Sequence, residues 1–443
     1  MSGFFESESE ECVVKDIHSI SPKKQNHKFD RRALQVADAQ ALAASYAGLG
    51  QEEIIRLQDS DGRVLASDVI APHPFPAFAR SGMDGYAVRS ADLVACDLGE
   101  KVWLEVVDQI PCGYVSAIPI EQGKASRIMT GAQVPEGADA VIMLEATELR
   151  VEDDGLTHAG FKRSIEKGKN ITPLGFELQE GDLILRRGTL IGPGEISVLA
   201  TFGIHQVEVY RQPVVGIFST GTELLDITEP LEPGKIRNSN TYMLASQIRE
   251  AGGVPVIMEA IPDDIELARQ KVEEALQVYD IVVTTGGVSV GDYDIMGELV
   301  TSGGLDMLFN KVTMRPGSVT TAAVKDGKLL FALSGNPGAC YVGFLLFVRP
   351  AIRKMLGMEQ LFLTEWTAEL GSDYSKVNNF TRFVRGSLEV SNGKLIATPA
   401  SLDESSVMIT IKDSDCLIVI PPELRGAVKG QTVQVLVLPG AWT

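Results

Sequence analysis

The most informative pattern in the chain is an unbroken apolar run that ends in glycines. Ile281, Val282 and Val283 are followed by Thr-Thr-Gly-Gly and then by Asp292 and Asp294. An uninterrupted run of β-branched residues predicts a strand covered on both faces, because a half-exposed strand would alternate apolar and polar positions. Paired glycines let backbone amides approach a ligand closely. We therefore predict a ligand-binding loop at the carboxyl end of a buried strand, with an ordinary tight turn as the alternative.

Strands and amphipathic helices alternate through the segment that contains this loop. The pattern predicts strands over 213–220, 254–259, 281–283 and 329–333, and helices over 240–251, 264–278 and 339–355. In the second helix, Ile265, Ala268, Val272 and Ala275 share one face. Such alternation predicts a doubly wound parallel sheet.

The flanking regions show a different pattern, in which short apolar runs are separated by turns. Before the α/β segment these runs predict a small β domain without a long helix, with strands over 102–107, 126–129, 140–144 and 147–151. Residues 72–88 are rich in proline and glycine, which predicts an irregular, functional segment. After residue 357 the runs at 380–384, 395–398, 416–420 and 433–438 favour a C-terminal β-barrel.

These patterns divide the chain into parts that we expect to fold around separate cores. The predicted parts are a disordered acidic tail (1–28), a linking helical and β domain (29–71 and 171–210), an inserted small β domain (72–170), an α/β domain (211–357) and a C-terminal β domain (358–443). The fold class is therefore multi-domain α/β plus β.

Composition narrows the function. The chain has 443 residues, a formal net charge of -19 and a pI of about 4.8, which argues against nucleic acid or an anionic membrane as a main partner. Its five cysteines are scattered, so neither a zinc site nor a disulfide framework is indicated. With no apolar run long enough to span a membrane, we expect a cytoplasmic protein.

Candidate chemistry lies in short polar motifs. Thr130 precedes a glycine at the end of a predicted strand, and Asn336 with Pro337 predicts a capped helix start whose amides suit an anion. Asp292 and Asp294 suit a hard cation that bridges to an anionic substrate. Taken singly, the Thr-Gly motifs and their neighbouring acids favour ordinary turns and solvated acids, whereas the helix start is about equally compatible with a cap that binds no ligand.

Six motifs taken together resemble one family. They are SGMDGYAV at 81–88, IMTGA at 128–132, STGTEL at 219–224, the loop at 284–294, MRPGS at 314–318 and LSGNP at 333–337. Their order and sequence are similar to those of the molybdopterin molybdenumtransferases, represented by bacterial MoeA and the E domain of gephyrin. The resemblance extends from about residue 30 to the C-terminus.

The resemblance implies an elongated multi-domain homodimer whose α/β domain (211–357) is MogA-like, that is, similar to the MogA type of molybdopterin-binding protein. It also implies a reaction in which adenylylated molybdopterin is cleaved in the presence of molybdate and Mg²⁺, giving molybdenum cofactor and AMP. The substrates would be molybdate and adenylylated molybdopterin, and the molybdopterin adenylyltransferase is a candidate partner. Molybdenum and tungsten are not distinguished, because both form tetrahedral dianions of similar size.

Site residues are carried over by position. The implied catalytic residues are Asp84, Thr130, Glu177, Glu223, Asp294, Lys311 and Arg315. The implied substrate-binding residues are Thr220, Gly221, Thr285, Gly286, Gly287, Ser289, Ser334, Gly335, Asn336 and Pro337. The implied metal ligands are Asp292 and Asp294.

The chain departs from the family pattern at several positions. Asn238 stands where an acid is frequent, Glu177 where aspartate is usual, and Arg315 and Ser318 where lysines are common. These changes imply fewer cationic contacts to oxyanions. Two other functions stay open: a molybdopterin adenylyltransferase that shares the α/β domain, and a non-enzymatic scaffold like the E domain of gephyrin.

Overall fold

The computed structural model describes residues 33–153, 155–261, 264–287, 304–376, 379–422 and 426–441. The predicted acidic tail and the site residues Ser289, Asp292 and Asp294 lie outside these described residues. In the described part of the chain, no helix is long and apolar enough to cross a membrane.

Two separated stretches of sequence form the linking region. Strand Glu52–Arg56 pairs with Gln206–Tyr210, and Val69–Ile70 pairs with Leu183–Leu185, both antiparallel. The helices of this region are Val36–Tyr46 and Pro193–Thr201. Proline begins the second helix, and its Glu195 carboxylate accepts a hydrogen bond from the Gly192 amide at 3.0 Å.

The inserted small β domain is built on a six-stranded sheet. In spatial order its strands are Ala140–Met143, Gly85–Val88, Lys124–Ile128, Val102–Ile110, Thr157–Phe161 and Thr147–Val151. A short pair, Arg80–Ser81 with Ile171–Thr172, lies beside this sheet, and a 3-10 helix spans Ser90–Leu98.

The prediction that residues 72–88 are wholly irregular is wrong, because Gly85–Val88 is a central strand of this sheet. Its residues are all buried, between neighbouring strands on both sides. Gly85 makes this possible: a Cβ at that position would lie 1.9 Å from the carbonyl oxygen of Ile142. The glycine is thus required by strand packing and not by a turn.

The predicted doubly wound sheet is confirmed. Its spatial order is Val254–Ile257, Val214–Ser219, Ile281–Thr285, Lys328–Leu333, Thr321–Lys325 and Asp306–Phe309. The first four strands are parallel, and the last two join the sheet in antiparallel fashion. The helices that accompany the parallel strands are Asn240–Glu250, Ile265–Val278 and a long helix from Pro337 to Met355.

The position of strand Ile281–Thr285 inside the sheet explains why its sequence is apolar. Ile281, Val282 and Val283 are fully buried, with the first and third in one core cluster and the second in another. Helix Ile265–Val278 covers the face of Val282 and begins at Asp264, whose carboxylate accepts a hydrogen bond from the Leu267 amide at 2.9 Å.

The C-terminal region is a closed five-stranded barrel. Its strands are Thr381–Ser391, Lys394–Pro399, Glu365–Leu370, Thr432–Val437 and Cys416–Ile420, and the last pairs again with the first. A short strand of the preceding region, Met314–Arg315, pairs in parallel with the first barrel strand. This pairing joins the α/β domain to the barrel and places Arg315 opposite Arg382 in register.

Replacement of Gly85 by alanine tests the packing of the central strand. We expect Gly85→Ala to destabilise the protein by roughly 1–3 kcal/mol or more, because the new methyl group overlaps a backbone oxygen that cannot move without breaking the sheet. The control is Gly194→Ala, at a helical position with open space, which should be neutral or slightly stabilising. Chemical denaturation followed by circular dichroism measures both, and equal stability of the two variants would contradict the argument.

Candidate functional site

A cavity of about 1140 Å³ lies between the α/β domain and the C-terminal barrel. Part of its wall comes from loops that follow the parallel strands Val214–Ser219, Ile281–Thr285 and Lys328–Leu333. Open α/β sheets bind their ligands at this edge. The opposite wall includes Lys376, Arg382 and the loop 403–406 of the barrel.

The cavity wall on the side of the α/β domain is formed by loops whose backbones lie very close together. Gly286 has φ +95°, and a Cβ there would lie 2.7 Å from the carbonyl oxygen of Thr220. The Gly286 amide donates to Leu333 at 3.0 Å, so the loops after neighbouring strands are held directly against each other. A side chain at this position would force them apart.

Asn240 ties two of these loops together. Its side-chain amide donates to the hydroxyl of Thr285 and to the carbonyl of Gly335, both at 2.8 Å. The Thr285 hydroxyl in turn donates to the Ser334 carbonyl at 3.2 Å. This asparagine lines the cavity and was not among the residues predicted from sequence.

Arg315 and Arg382 meet across the joint between the α/β domain and the barrel. They are partners in a parallel strand pair and both line the cavity. Arg315 lies over the ring of Phe380 at 5.6 Å, and Arg382 over the ring of Tyr374 at 6.0 Å. Like charges held opposite each other in a sheet repel, and a bound anion would relieve that repulsion.

The start of the long helix differs from the sequence prediction of free amides. The Gly338 amide donates to the Ser405 carbonyl of the barrel at 2.8 Å, and the Asn336 side chain donates to the Ser405 hydroxyl at 3.2 Å. Arg385 holds the same loop through the carbonyls of Glu404 and Val407. The helix start therefore anchors the barrel wall and is only partly open to a ligand.

Glu223 and Asn238 both line the cavity. Glu223 lies two residues after Gly221, whose φ of +131° is a backbone conformation that residues with a side chain rarely adopt. Asn238 donates to the Ser219 hydroxyl at 3.0 Å and accepts from the Thr241 amide at 3.3 Å. Asn238 thus orders a strand end and a helix start without adding a negative charge to the cavity.

A second cluster of predicted residues lies in the small β domain. The amide and the hydroxyl of Thr130 both donate to one oxygen of Asp84, at 2.7 and 2.9 Å. The backbone and then the side-chain hydrogen bond lower the pKa of Asp84, so the carboxylate stays ionised. Glu177 forms an ion pair with Arg80 at 3.1 Å.

The structure therefore separates the predicted site residues that it describes into two groups, those that line the cavity and those that do not. Those that line the cavity are Thr220, Gly221, Glu223, Thr285, Gly286, Gly287, Arg315, Ser334, Gly335, Asn336 and Pro337. Asp84, Thr130, Glu177 and Lys311 do not line it. Ser289, Asp292 and Asp294 lie outside the described residues.

Sequence patterns missed the contribution of the barrel. Lys376, Arg382, Asp403, Glu404, Ser405 and Ser406 all line the cavity. The signal that could have found Arg382 is its position in an apolar strand, where a charged residue is uncommon. Loop 403–406 gives no comparable signal, because polar turn residues there are equally typical of a solvated loop.

Mg²⁺ places modest demands on the protein. Among the described residues there is no group of three His, Cys, Asp or Glu side chains arranged to hold a metal. Mg²⁺ keeps several waters and is commonly held by one or two carboxylates with substrate phosphates. Three described carboxylates line the cavity, those of Glu223, Asp403 and Glu404. Glu223, on the α/β side, and the acids that follow the Gly286–Gly287 pair in sequence are compatible with such a site.

Three family models together match most of the chain. They are described as the MoeA N-terminal region (domain I and II), at residues 34–203, a probable molybdopterin binding domain, at 216–354, and the MoeA C-terminal region (domain IV), at 367–438. The last two meet where the cavity lies.

Similar proteins cover nearly the whole length. A molybdopterin molybdenumtransferase of Bacillus subtilis is 46% identical over 92% of this chain and 95% of its own, and one of Staphylococcus aureus is 41% identical over 86% and 90%. The crystal structure of a molybdopterin biosynthesis MoeA protein from Pyrococcus horikoshii superposes with a TM-score of 0.80 at 28% identity, covering 92% of this chain and 99% of that one. The fold, the ordered motifs and the full-length similarity agree, and the chain belongs to the MoeA family of molybdopterin molybdenumtransferases.

Proposed function

We propose that this chain inserts molybdate into adenylylated molybdopterin with Mg²⁺-dependent release of AMP, the last step of molybdenum cofactor biosynthesis. The observation that carries the proposal is the cavity between the α/β domain and the barrel, where two arginines in strand register face the glycine-rich loops. Family membership supports the same reaction. An adenylyltransferase would need the α/β domain alone, whereas the family match also covers residues 34–203 and 367–438.

The cavity suits a large anionic substrate together with a small oxyanion. Opening a phosphoanhydride depends mainly on positioning the phosphates and neutralising the developing charge. The loops at Thr220, Gly286 and Gly335 form the wall that orients the substrate, while Arg315 and Arg382 bind the tetrahedral dianion. Arg382 is thereby proposed as an oxyanion ligand in addition to Arg315, whereas the resemblance implied Arg315 and Lys311.

We also propose that Asp292 and Asp294, which follow the Gly286–Gly287 pair in sequence, hold the magnesium ion. When bound, the ion would neutralise charge on the phosphate oxygens. Glu223, on the cavity wall, is a further oxygen donor of the kind that Mg²⁺ prefers.

Asp84, Thr130 and Glu177 require a further proposal, because they do not line the cavity within one chain. We propose a homodimer in which the small β domain of one subunit faces the cavity of the other. The ionised carboxylate of Asp84 then orients a substrate donor or accepts a proton at the shared site. A cytoplasmic location and contact with the molybdopterin adenylyltransferase remain predictions.

The direct test is a reaction in vitro. Full-length protein incubated with adenylylated molybdopterin and Mg²⁺ should release AMP only when molybdate or tungstate is added, and AMP is measured by chromatography. AMP release should fall to the uncatalysed level when both oxyanions are omitted, and also when Mg²⁺ is omitted. Synthesis of adenylylated molybdopterin from ATP and molybdopterin, without AMP release from that product, would instead identify an adenylyltransferase.

A pH profile tests the role of Asp84. In Thr130→Val the backbone donor remains but the hydroxyl donor is lost, so the pKa of Asp84 rises from its lowered value toward the ordinary one. The carboxylate is then protonated at a higher pH, and we expect the acid limb of kcat/KM to move to higher pH than in the wild type. Asp84→Asn is the control, which should be inactive at every pH. An acid limb of Thr130→Val at the wild-type pH, or an active Asp84→Asn protein with an unchanged limb, would show that Asp84 does not act as a carboxylate.

A further inference from the structure

A chain of polar side chains in the barrel ends at the cavity. Lys376 donates to Asp403, the Tyr374 hydroxyl donates to the same carboxylate, and Arg382 donates to the Tyr374 oxygen at 3.3 Å. We call these four residues the barrel relay. Tyr374 is only 6% exposed and does not line the cavity, so it acts on the site through Arg382 and Asp403, which do.

The relay is attached to a rigid part of the barrel. The backbone of Tyr374 exchanges two hydrogen bonds with Ala427, at 2.7 and 2.8 Å, and its ring packs in the barrel core. Asp403 has only 7% of its side chain exposed. A flexible arginine side chain is therefore held against a tyrosine that has little freedom to move.

The single proton of the Tyr374 hydroxyl determines which group donates each hydrogen bond in the barrel relay. A tyrosine hydroxyl has one proton, and because Asp403 accepts it, the oxygen is left to accept from Arg382. Burial and the hydrogen bond to Asp403 raise the pKa of Tyr374, so its proton is retained. Burial alone would raise the pKa of Asp403, but the hydrogen bonds from Lys376 and Tyr374 outweigh it and the pKa is lowered.

Arg382 brings its positive charge to the cavity, which it lines. Its Nε is buried and has no hydrogen-bond partner among the described residues. Because such a buried donor is costly, the contact with Tyr374 is important in holding the side chain in this position. Arg315 beside it in register adds a second guanidinium.

We propose that Tyr374 and Asp403 are positioning residues, which hold Arg382 in the orientation that binds a tetrahedral oxyanion beside Arg315. The inference rests on the proposed function only in placing the oxyanion at these arginines. It predicts that anion affinity depends on a hydroxyl group that no anion touches.

The test is calorimetric titration of the full-length protein with tungstate. Tyr374→Phe keeps the ring and removes the hydroxyl, so tungstate should bind about three- to tenfold more weakly. The matched control is Tyr210→Phe. Tyr210 is also buried, Arg187 lies over its ring at 5.4 Å, and its hydroxyl accepts a hydrogen bond from Arg187. Because Tyr210 does not line the cavity, loss of its hydroxyl should leave the affinity for tungstate unchanged.

Asp403→Ala separates positioning from simple electrostatics. Removing a negative charge near an anion site would by itself strengthen tungstate binding. The relay predicts the opposite, because alanine has no acceptor for the Tyr374 hydroxyl and Arg382 loses its orientation. Affinity equal to or tighter than that of the wild type would overturn the role of Asp403.

A double variant provides the last distinction. In an Arg382→Lys background, Tyr374→Phe should cause no further loss of affinity, because the residue that it positions is absent. Wild-type affinity in Tyr374→Phe, with weaker binding in Arg382→Lys, would reject the relay and leave the oxyanion site intact. Absence of tungstate binding to the wild type would reject the oxyanion site itself.

Discussion

The close approach of three loops at the carboxyl ends of the parallel strands is the constraint on which the site depends. Gly286 and Gly335 leave no side chains between these loops, and Asn240 joins them through the Thr285 hydroxyl and the Gly335 carbonyl. The strand before this joint is buried on both faces, so the loop geometry is fixed by two cores at once. A ligand at this edge therefore meets a preformed backbone surface.

The joint between the α/β domain and the barrel adds charge to that surface. One short strand, Met314–Arg315, leaves the α/β region and pairs with the barrel, which brings Arg315 beside Arg382. Ser405 of the barrel caps the start of the long helix at Gly338, so the same contacts that dock the barrel also close the cavity. The barrel is thus both a structural support and a wall of the site.

Sequence predicted the sheet and its glycine loops because their signals are local: a β-branched run, amphipathic helices and glycines after strands. It predicted an irregular segment at Gly85–Val88, since the glycine is required by the distant Ile142 carbonyl and not by its neighbours. For the same reason, sequence patterns did not identify Arg382, Asp403 and Asn240 as site residues, because their roles depend on partners far away in the chain. The ordered motifs located Asp84 and Thr130, but no local pattern says which surface they face.

The proposal that one site is shared by two subunits is tested most directly by mixing inactive chains. Asp84→Asn and Arg382→Met chains should each form inactive homodimers, whereas their heterodimer would contain one doubly changed site and one intact site. After subunit exchange at equal amounts, half of the dimers are heterodimers, and AMP release should recover to about a quarter of the wild-type rate per site. No recovery after verified exchange would contradict the shared site, because a site built within one chain leaves every copy damaged.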